Sequence, residues 1–272
     1  MKELTLKELH ALQLQAALDF AEICKAYNIR YYLIAGCAIG SVRHGGFIPW
    51  DEDMDFAMLR EDYERFIDVC AASLDKTKYH LQNYRVDPHC MVALTRFCIN
   101  NTMVRTDSTA HTKECKNIYF DIFPLDNVPD DEQARSRQKR DIQRINKLIL
   151  HKIGYRLNDR AKWKQAVHDM IALLLSVIPF HWVIRRKEKI LTRHNQENTR
   201  CVCSMASKYS YDKQTMPREI YGTPTPVKFE DVQFDAPEKL HEYLTKLYGD
   251  YMQLPPVEKR NMHHQGYYIL CD

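Results

Sequence analysis

Three aspartates, Asp51, Asp53 and Asp55, stand at alternate positions behind a glycine-bearing turn in the stretch from Gly36 to Met58. In an extended strand residues two apart share a face, so Asp53 and Asp55 project together while Met54, Phe56 and Met58 turn the other way. An element with carboxylates on one side and core residues on the other is costly to bury unless the charge is neutralised. Mg²⁺ takes oxygen ligands and combines one or two protein carboxylates with waters and substrate phosphates. The pattern therefore predicts a metal site for Mg²⁺ or Mn²⁺ built from Asp51, Asp53 and Asp55, serving phosphate chemistry; a solvated edge strand is the bland alternative. Asp121 is the candidate third acid and metal ligand, because it interrupts the otherwise apolar run Ile118 to Phe123. A buried acid is paired or ligates metal; the alternative is a strand-end acid bonded to backbone amides. Asp126, after Pro124, is expected to cap or close a turn.

Around these acids stand the candidates for substrate binding. The backbone amides after Gly36, beginning with that of Cys37, open a predicted short helix, and a helix N-terminus is a ready anion site for a diphosphate. Arg43 and His44 lie in the turn before the aspartates, where a fixed cation meets phosphate oxygens, with a structural hydrogen bond as the other use of His44. Trp50 beside the acids either faces a quaternary ammonium or belongs to the core. Arg96, on an extended segment, is a phosphate partner or an ordinary surface arginine.

The elements that must hold these residues read as a mixed α/β domain. Thr5-Leu6-Lys7-Glu8 has the form of a capping box, followed by apolar residues at helical spacing to about Ala26. Arg30 to Ala35 reads as a strand, Glu61 to Ala72 as a helix, and Tyr79 to Gln82, Met91 to Asn100 and Met103 to Thr106 as extended, with a hairpin turn at Asn100-Asn101. From Asp130 to about Asn195 the chain is predicted helical, with Arg135, Arg137, Lys139 and Arg140 on a solvated face. Met170 to Ile184 is apolar but interrupted by Pro179 and His181, too short to span a bilayer. It is expected to form a buried helical pair or, followed by Arg185, Arg186 and Lys187, to rest on an anionic membrane surface. Val202 to Met205 and Val227 to Phe234 read as short extended pieces before a last helix from Pro237 to Tyr248, with Gly249 as its cap.

The 272 residues suffice for one large domain or a domain with an insertion. A net charge of +3 gives no basic stripe for nucleic acid. Met1 leads into a charged amphipathic segment unlike a signal peptide, which predicts a cytoplasmic protein, and an odd count of nine cysteines fits reduced thiols. Cys201 and Cys203, with His194 or with His263 and His264, lack the spacing of a structural zinc site.

A strand ending in Gly36-Cys37, an Asp53-x-Asp55 strand and a later strand carrying Asp121 resemble the nucleotidyltransferase fold of the polymerase-β type. More specifically, the run Ala38 to Asp55 resembles the signature of the LicD family of phosphotransferases, as do Phe120-Asp121-Ile122-Phe123-Pro124-Leu125-Asp126 and Leu247-Tyr248-Gly249-Asp250-Tyr251-Met252 with Leu254-Pro255-Pro256. The resemblance spans nearly the whole chain and is weakest between about 130 and 200. It implies a mixed sheet with flanking helices: a nucleotidyltransferase core at 1–128, a helical insertion at 129–200, and a C-terminal region at 201–272 packing back on the core. It also implies Mg²⁺-dependent transfer of phosphocholine, or a related phospho-alcohol, from a donor such as CDP-choline. The acceptor would be a sugar hydroxyl of a glycan or lipid-linked glycan (lipopolysaccharide, teichoic acid or capsule precursor), with CMP released. Such an enzyme would work in the cytoplasm or at the inner face of the cell membrane, touching the membrane peripherally if at all. Asp53, Asp55 and Asp121 would be its catalytic acids. Two departures from the family pattern are Cys37, where serine or threonine is common, and Arg96, where lysine is. The alternatives are a true nucleotidyltransferase acting on a small hydroxylated acceptor and an inactive glycan-binding scaffold.

Overall fold

The computed structural model describes residues 1–87, 90, 92–105, 116–153, 170, 173–174, 177–260 and 267–271. In chain order these form β1 (Lys2–Glu3), α1 (Leu6–Ala26), β2 (Tyr32–Leu33), α2 (Ala35–Arg43), β3 (Asp55–Leu59), α3 (Arg60–Ser73), β4 (Tyr79–Gln82), β5 (Thr95–Ile99), β6 (Thr102–Arg105) and β7 (Ile118–Val128). Then come α4 (Glu132–Ile153), α5 (Phe180–Leu191), β8 (Cys201–Cys203), α6 (Tyr211–Gln214), β9 (Thr215–Pro217) and α7 (Arg218–Tyr221). The chain closes with β10 (Thr225–Phe229), β11 (Val232–Ala236), α8 (Leu240–Tyr248), α9 (Val257–Arg260) and β12 (Tyr267–Leu270).

A seven-stranded mixed sheet in the order β2-β3-β7-β5-β4, extended by β8 and β9 from the far end of β7, forms the centre of a mixed α/β architecture. Its inner strands β3 and β7 run parallel. Both read as apolar runs because both faces are covered, as expected of parallel strands. On one face Phe56, Met58, Phe97, Phe120 and Ile122 pack with Phe20 of α1 and Phe66 of α3. On the other, Ala57 and Leu125 pack with Tyr243 and Leu244 of α8. The period-two alternation holds for the apolar residues, Met54, Phe56 and Met58 being buried on the α1 side and Asp55 opening the strand on the other, but Asp51 and Asp53, expected with it on a strand, precede β3.

Local chemistry sets the helix ends. Thr5 caps α1 through a capping box in which Glu8 N–H donates to Thr5 Oγ1 and Thr5 N–H to Glu8. Gly249 stops α8 at φ +70°, a conformation a side chain disfavours. Pro179 interrupts the apolar run as expected, standing between a turn at Val177 and Ile178 and the first residue of α5, whereas His181 lies within that helix.

Several sequence expectations are corrected. Asn100-Asn101 does form a turn, with Asn101 at φ +57°, but β5 pairs with β4 and β7 while β6 pairs with β12. The turn passes the chain between two sheets, so it closes no hairpin. Val227 to Phe234 is itself a hairpin, β10 and β11 meeting around Glu230 at φ +55°. Of the basic run, Arg137 and Arg140 are exposed, whereas Lys139 pairs with Asp212. The buried helical pair forms between α4 and α5, through Ile142, Ile145, Ile149, Val183, Ile184 and Leu191. Upstream, Met170, Leu173, Leu174 and Val177 are exposed. His263 and His264 lie outside the described residues; Cys201 and Cys203 are free thiols.

Asp126 closes no turn either. β7 runs straight through Pro124, and Asp126 is fully buried within it. Arg60 grips it bidentately, Nε to Oδ1 at 2.7 Å and Nη2 to Oδ2 at 2.8 Å, and reaches Glu188 of α5 at 3.2 Å. One guanidinium thus ties α3, β7 and α5 together. Replacing Arg60 by methionine strands these carboxylates without their cation and should cost about 3–5 kcal/mol in urea unfolding. Burial pushes the Glu188 carboxyl up to about 7 against the pull of Arg60. Folded Glu188 holds its proton more tightly than unfolded, so its contribution is full in the acid range and is lost as pH rises towards and through about 7. Glu188→Gln should flatten that part of the stability–pH curve.

Candidate active site

The register of two strands creates the site. Asp55 of β3 pairs with Asp121 of β7, and Arg96 of β5 pairs with Asp121 from its other side. Paired residues in adjacent strands share a face, so Asp55, Asp121 and Arg96 form a row across the sheet. Arg96 Nε lies 3.5 Å from Asp121 Oδ1, and its guanidinium stacks on Tyr119 with 4.4 Å to the ring centroid. Arg96 is therefore no ordinary surface arginine; its side chain is largely buried and forms an ion pair with Asp121.

Asp53 and Asp51 precede β3 in an irregular loop that several elements hold. The buried Cys37 thiol donates to the Asp53 carbonyl at 3.4 Å, and burial pushes that thiol well above the ordinary range. Gln13 of α1, almost wholly buried, donates to the Glu52 carbonyl at 3.0 Å, His10 Nε2 meets the Asp51 carbonyl at 2.7 Å, and Tyr268 of β12 donates to Glu52 Oε2 at 2.8 Å. Sequence reasoning missed these supports because they come from the far ends of the chain.

The chain swings from β2 into α2 within one residue, and Ala35 takes φ +51°, where a side chain is strained by about 1–2 kcal/mol. Its N–H is taken by the Tyr243 hydroxyl at 3.3 Å. At Gly36 an added Cβ would lie 2.3 Å from Asp51 Oδ2. A carboxylate already leans on the N-terminal turn of α2, as the helix dipole favours.

The acids line the floor of a cavity of about 870 Å³, also lined by Gly36, Arg43, Trp50, Lys208 and Arg260. Asp55 is held well above the usual carboxylate range, first by burial and then by Asp121, Asp53 and Asp51, with Lys208 opposing. Crowded carboxylates of this kind fit a divalent cation. Among the described residues no group of three or more His, Cys, Asp or Glu is arranged so that it could hold a metal ion.

The remaining candidates separate. Arg43 lines the cavity but spends Nη1 on the carbonyls of Tyr251, at 2.7 Å, and Gln253, at 3.3 Å, pinning the C-terminal wall. His44 packs edge-on against Trp50 and accepts from Arg43 Nε, a structural role. Trp50 is half-buried, packed against the core at its edge, and its ring faces Arg260, whose guanidinium lies 5.1 Å from the centroid. Lys208, Arg260, Tyr209 and Tyr248 complete the lining. Lys208, Tyr209 and Arg260 carried no motif signal; Tyr248 and Tyr251 lie in the C-terminal segment whose sequence resembles the family.

The sequence profile described as LicD/FKTN/FKRP, nucleotidyltransferase domain, matches residues 28–134, the span carrying Gly36, the aspartate loop and Asp121. Over 276 aligned residues, covering 99% of this chain and 100% of the relative, the chain is 30% identical to the lipopolysaccharide cholinephosphotransferase LicD of Haemophilus influenzae. The chain belongs to the LicD family. A shorter match, 42% over 40 residues, links it to the ribitol 5-phosphate transferases FKRP of mouse and human, covering 15% of this chain and 8% of each of those proteins. The long relationship covers the helical region after 130 as well as the core.

A sign reversal tests the packing of Gly36 on Asp51. In the otherwise native protein Gly36→Ala should destabilise by about 1–3 kcal/mol, since the new methyl displaces a carboxylate. In an Asp51→Ala background the same change should stabilise by up to about 1 kcal/mol, because alanine is the better helix former. Thermal unfolding of the four proteins reads both signs.

Proposed function

We propose that this LicD-family protein transfers phosphocholine, or a closely related phospho-alcohol, from a CDP-linked donor to a sugar hydroxyl of a cell-surface glycan precursor, with release of CMP. The observation that carries the reading is the crowd of carboxylates on the floor of a cavity of ligand size, in a chain related along its whole length to a lipopolysaccharide cholinephosphotransferase. The name of the relative supports choline as the alcohol, and the FKRP proteins, similar over 40 residues, are named for transfer of ribitol 5-phosphate, which makes that the related alcohol to compare. The core around β3 and β7 is read as a nucleotidyltransferase-type unit, with residues 129–200 inserted and 201–272 returning to it.

Asp53 and Asp55 would hold Mg²⁺, with Asp51 beside them and Asp121 either joining or serving as base. The ion, when bound, neutralises charge on the donor diphosphate and on the departing CMP. The acceptor oxygen attacks the phosphorus that bears the alcohol, in line with the bridging oxygen. The new P–O bond forms as the bond to the bridge breaks, the electron pair leaves on CMP, and the hydroxyl proton passes to a carboxylate, for which Asp121 is the candidate. Arg96 keeps Asp121 aimed, and Lys208 and Arg260 supply the cations nearest the phosphate path. Tyr209 and Tyr248, edge-to-face at 6.0 Å, already accept Lys213 Nζ at 5.0 and 5.9 Å from their centroids and suit the cationic head of choline.

The test is product analysis with Mg²⁺ and CDP-choline, CDP-ethanolamine or CDP-ribitol in the presence of a glycan acceptor. CMP release matched by alcohol phosphate on the glycan is expected. Asp55→Ala and Asp121→Asn should lower kcat by about 10²–10⁴-fold, the range of an acid–base contribution, while Lys208→Met should act mainly on the KM of the donor. Pyrophosphate release from CTP instead would establish nucleotidyl transfer, and failure of every CDP-alcohol to raise the melting temperature with Mg²⁺ would leave a glycan-binding scaffold.

A further inference from the structure

Six of the sixteen large apolar side chains exposed among the described residues fall between positions 170 and 182: Met170, Leu173, Leu174, Val177, Ile178 and Trp182. Soluble surfaces seldom concentrate apolar groups in this way without a partner. The helix that follows gives the concentration a direction. On α5 the side chains of Val183, Ile184, Lys187, Glu188, Ile190 and Leu191 are buried. The outward positions Trp182, Arg185, Arg186 and Lys189 recur at i, i+3, i+4 and i+7 and are all exposed, so they form one stripe along the helix. From residue 170 to 189 the sequence has one acid, Glu188, and it is turned inward onto Arg60. Residues 170–189 are thus apolar ahead of α5 and basic along its outward stripe, with no exposed acid among those of them that are described.

We propose that this face docks on an anionic phospholipid surface. Trp182 and the apolar residues before it enter the boundary between headgroups and acyl chains. Arg185, Arg186 and Lys189 lay their stems along that boundary and place their charges on lipid phosphates. The charge complementarity selects a lipid surface over a second copy of the chain, since two such faces brought together would oppose like charges. No helix among the described residues is long and apolar enough to cross a membrane, so the contact is peripheral. The proposal is independent of which group the enzyme transfers.

Co-sedimentation of the full chain with vesicles of phosphatidylcholine alone, or of phosphatidylcholine with phosphatidylglycerol, tests it. Binding to the anionic vesicles that weakens with added salt is expected. Each basic side chain near such a surface strengthens binding by about fivefold, so Arg185→Gln with Arg186→Gln should weaken it by roughly 25-fold. Trp182→Ser should weaken binding at every salt concentration. All three positions are exposed, and matching thermal unfolding of the variants separates a binding defect from a folding defect. Equal binding to both vesicle types, no binding to either, or binding unchanged in the variants overturns the proposal. So does a stable dimer in solution that Trp182→Ser dissociates, which assigns the face to a second copy.

Discussion

The parallel pairing of β3 with β7, in the register that sets Asp55 beside Asp121, is the constraint on which the rest of the site depends. Two like charges side by side in a sheet repel, and burial raises the cost. The fold meets that cost with flanking interactions: Arg96 paired with Asp121, and Cys37 and Gln13 bonded to the carbonyls of the loop that carries Asp51 and Asp53, all beside an open cavity. A slip of one residue would turn Asp55 toward Phe20 and the aromatic core.

The second organising charge is Arg60, at the opposite end of the same two strands. Asp55 opens β3 and Arg60 follows its last residue, so one short strand separates an acid cluster that fits a metal from a buried guanidinium that satisfies Asp126. The acids have opposite environments. Asp126 receives a bidentate partner with every oxygen directed, whereas Asp55 faces other carboxylates and holds its proton abnormally. A sequence shows both as aspartates in apolar strands, and only the tertiary partners tell the two environments apart.

The C-terminal third supplies more of the site than its sequence suggests. Tyr243 satisfies the strained start of α2, Tyr248 lines the cavity, and the backbone of Tyr251 to Gln253 is gripped by Arg43. Arg43, expected at phosphate, lines the cavity and also holds this wall through its Nη1. Arg260, which no motif marks, brings its charge to the face of Trp50 instead.

The sequence by itself determined the family, through the run from Gly36 to Asp55. It also marked Asp55 and Asp121 as candidates, because a carboxylate within an apolar strand has few explanations, and determined elements such as α1 and β4, whose capping and periodicity are local. Tertiary structure decided what those local signals cannot carry. It sent β5 and β6 to different sheets, made Asp126 a buried ion-pair partner, turned Cys37 and Arg96 into supports, and brought Lys208 and Arg260 to the cavity. The reason is physical: propensity and period act over a few residues, whereas charge pairing and register join residues dozens to hundreds of positions apart.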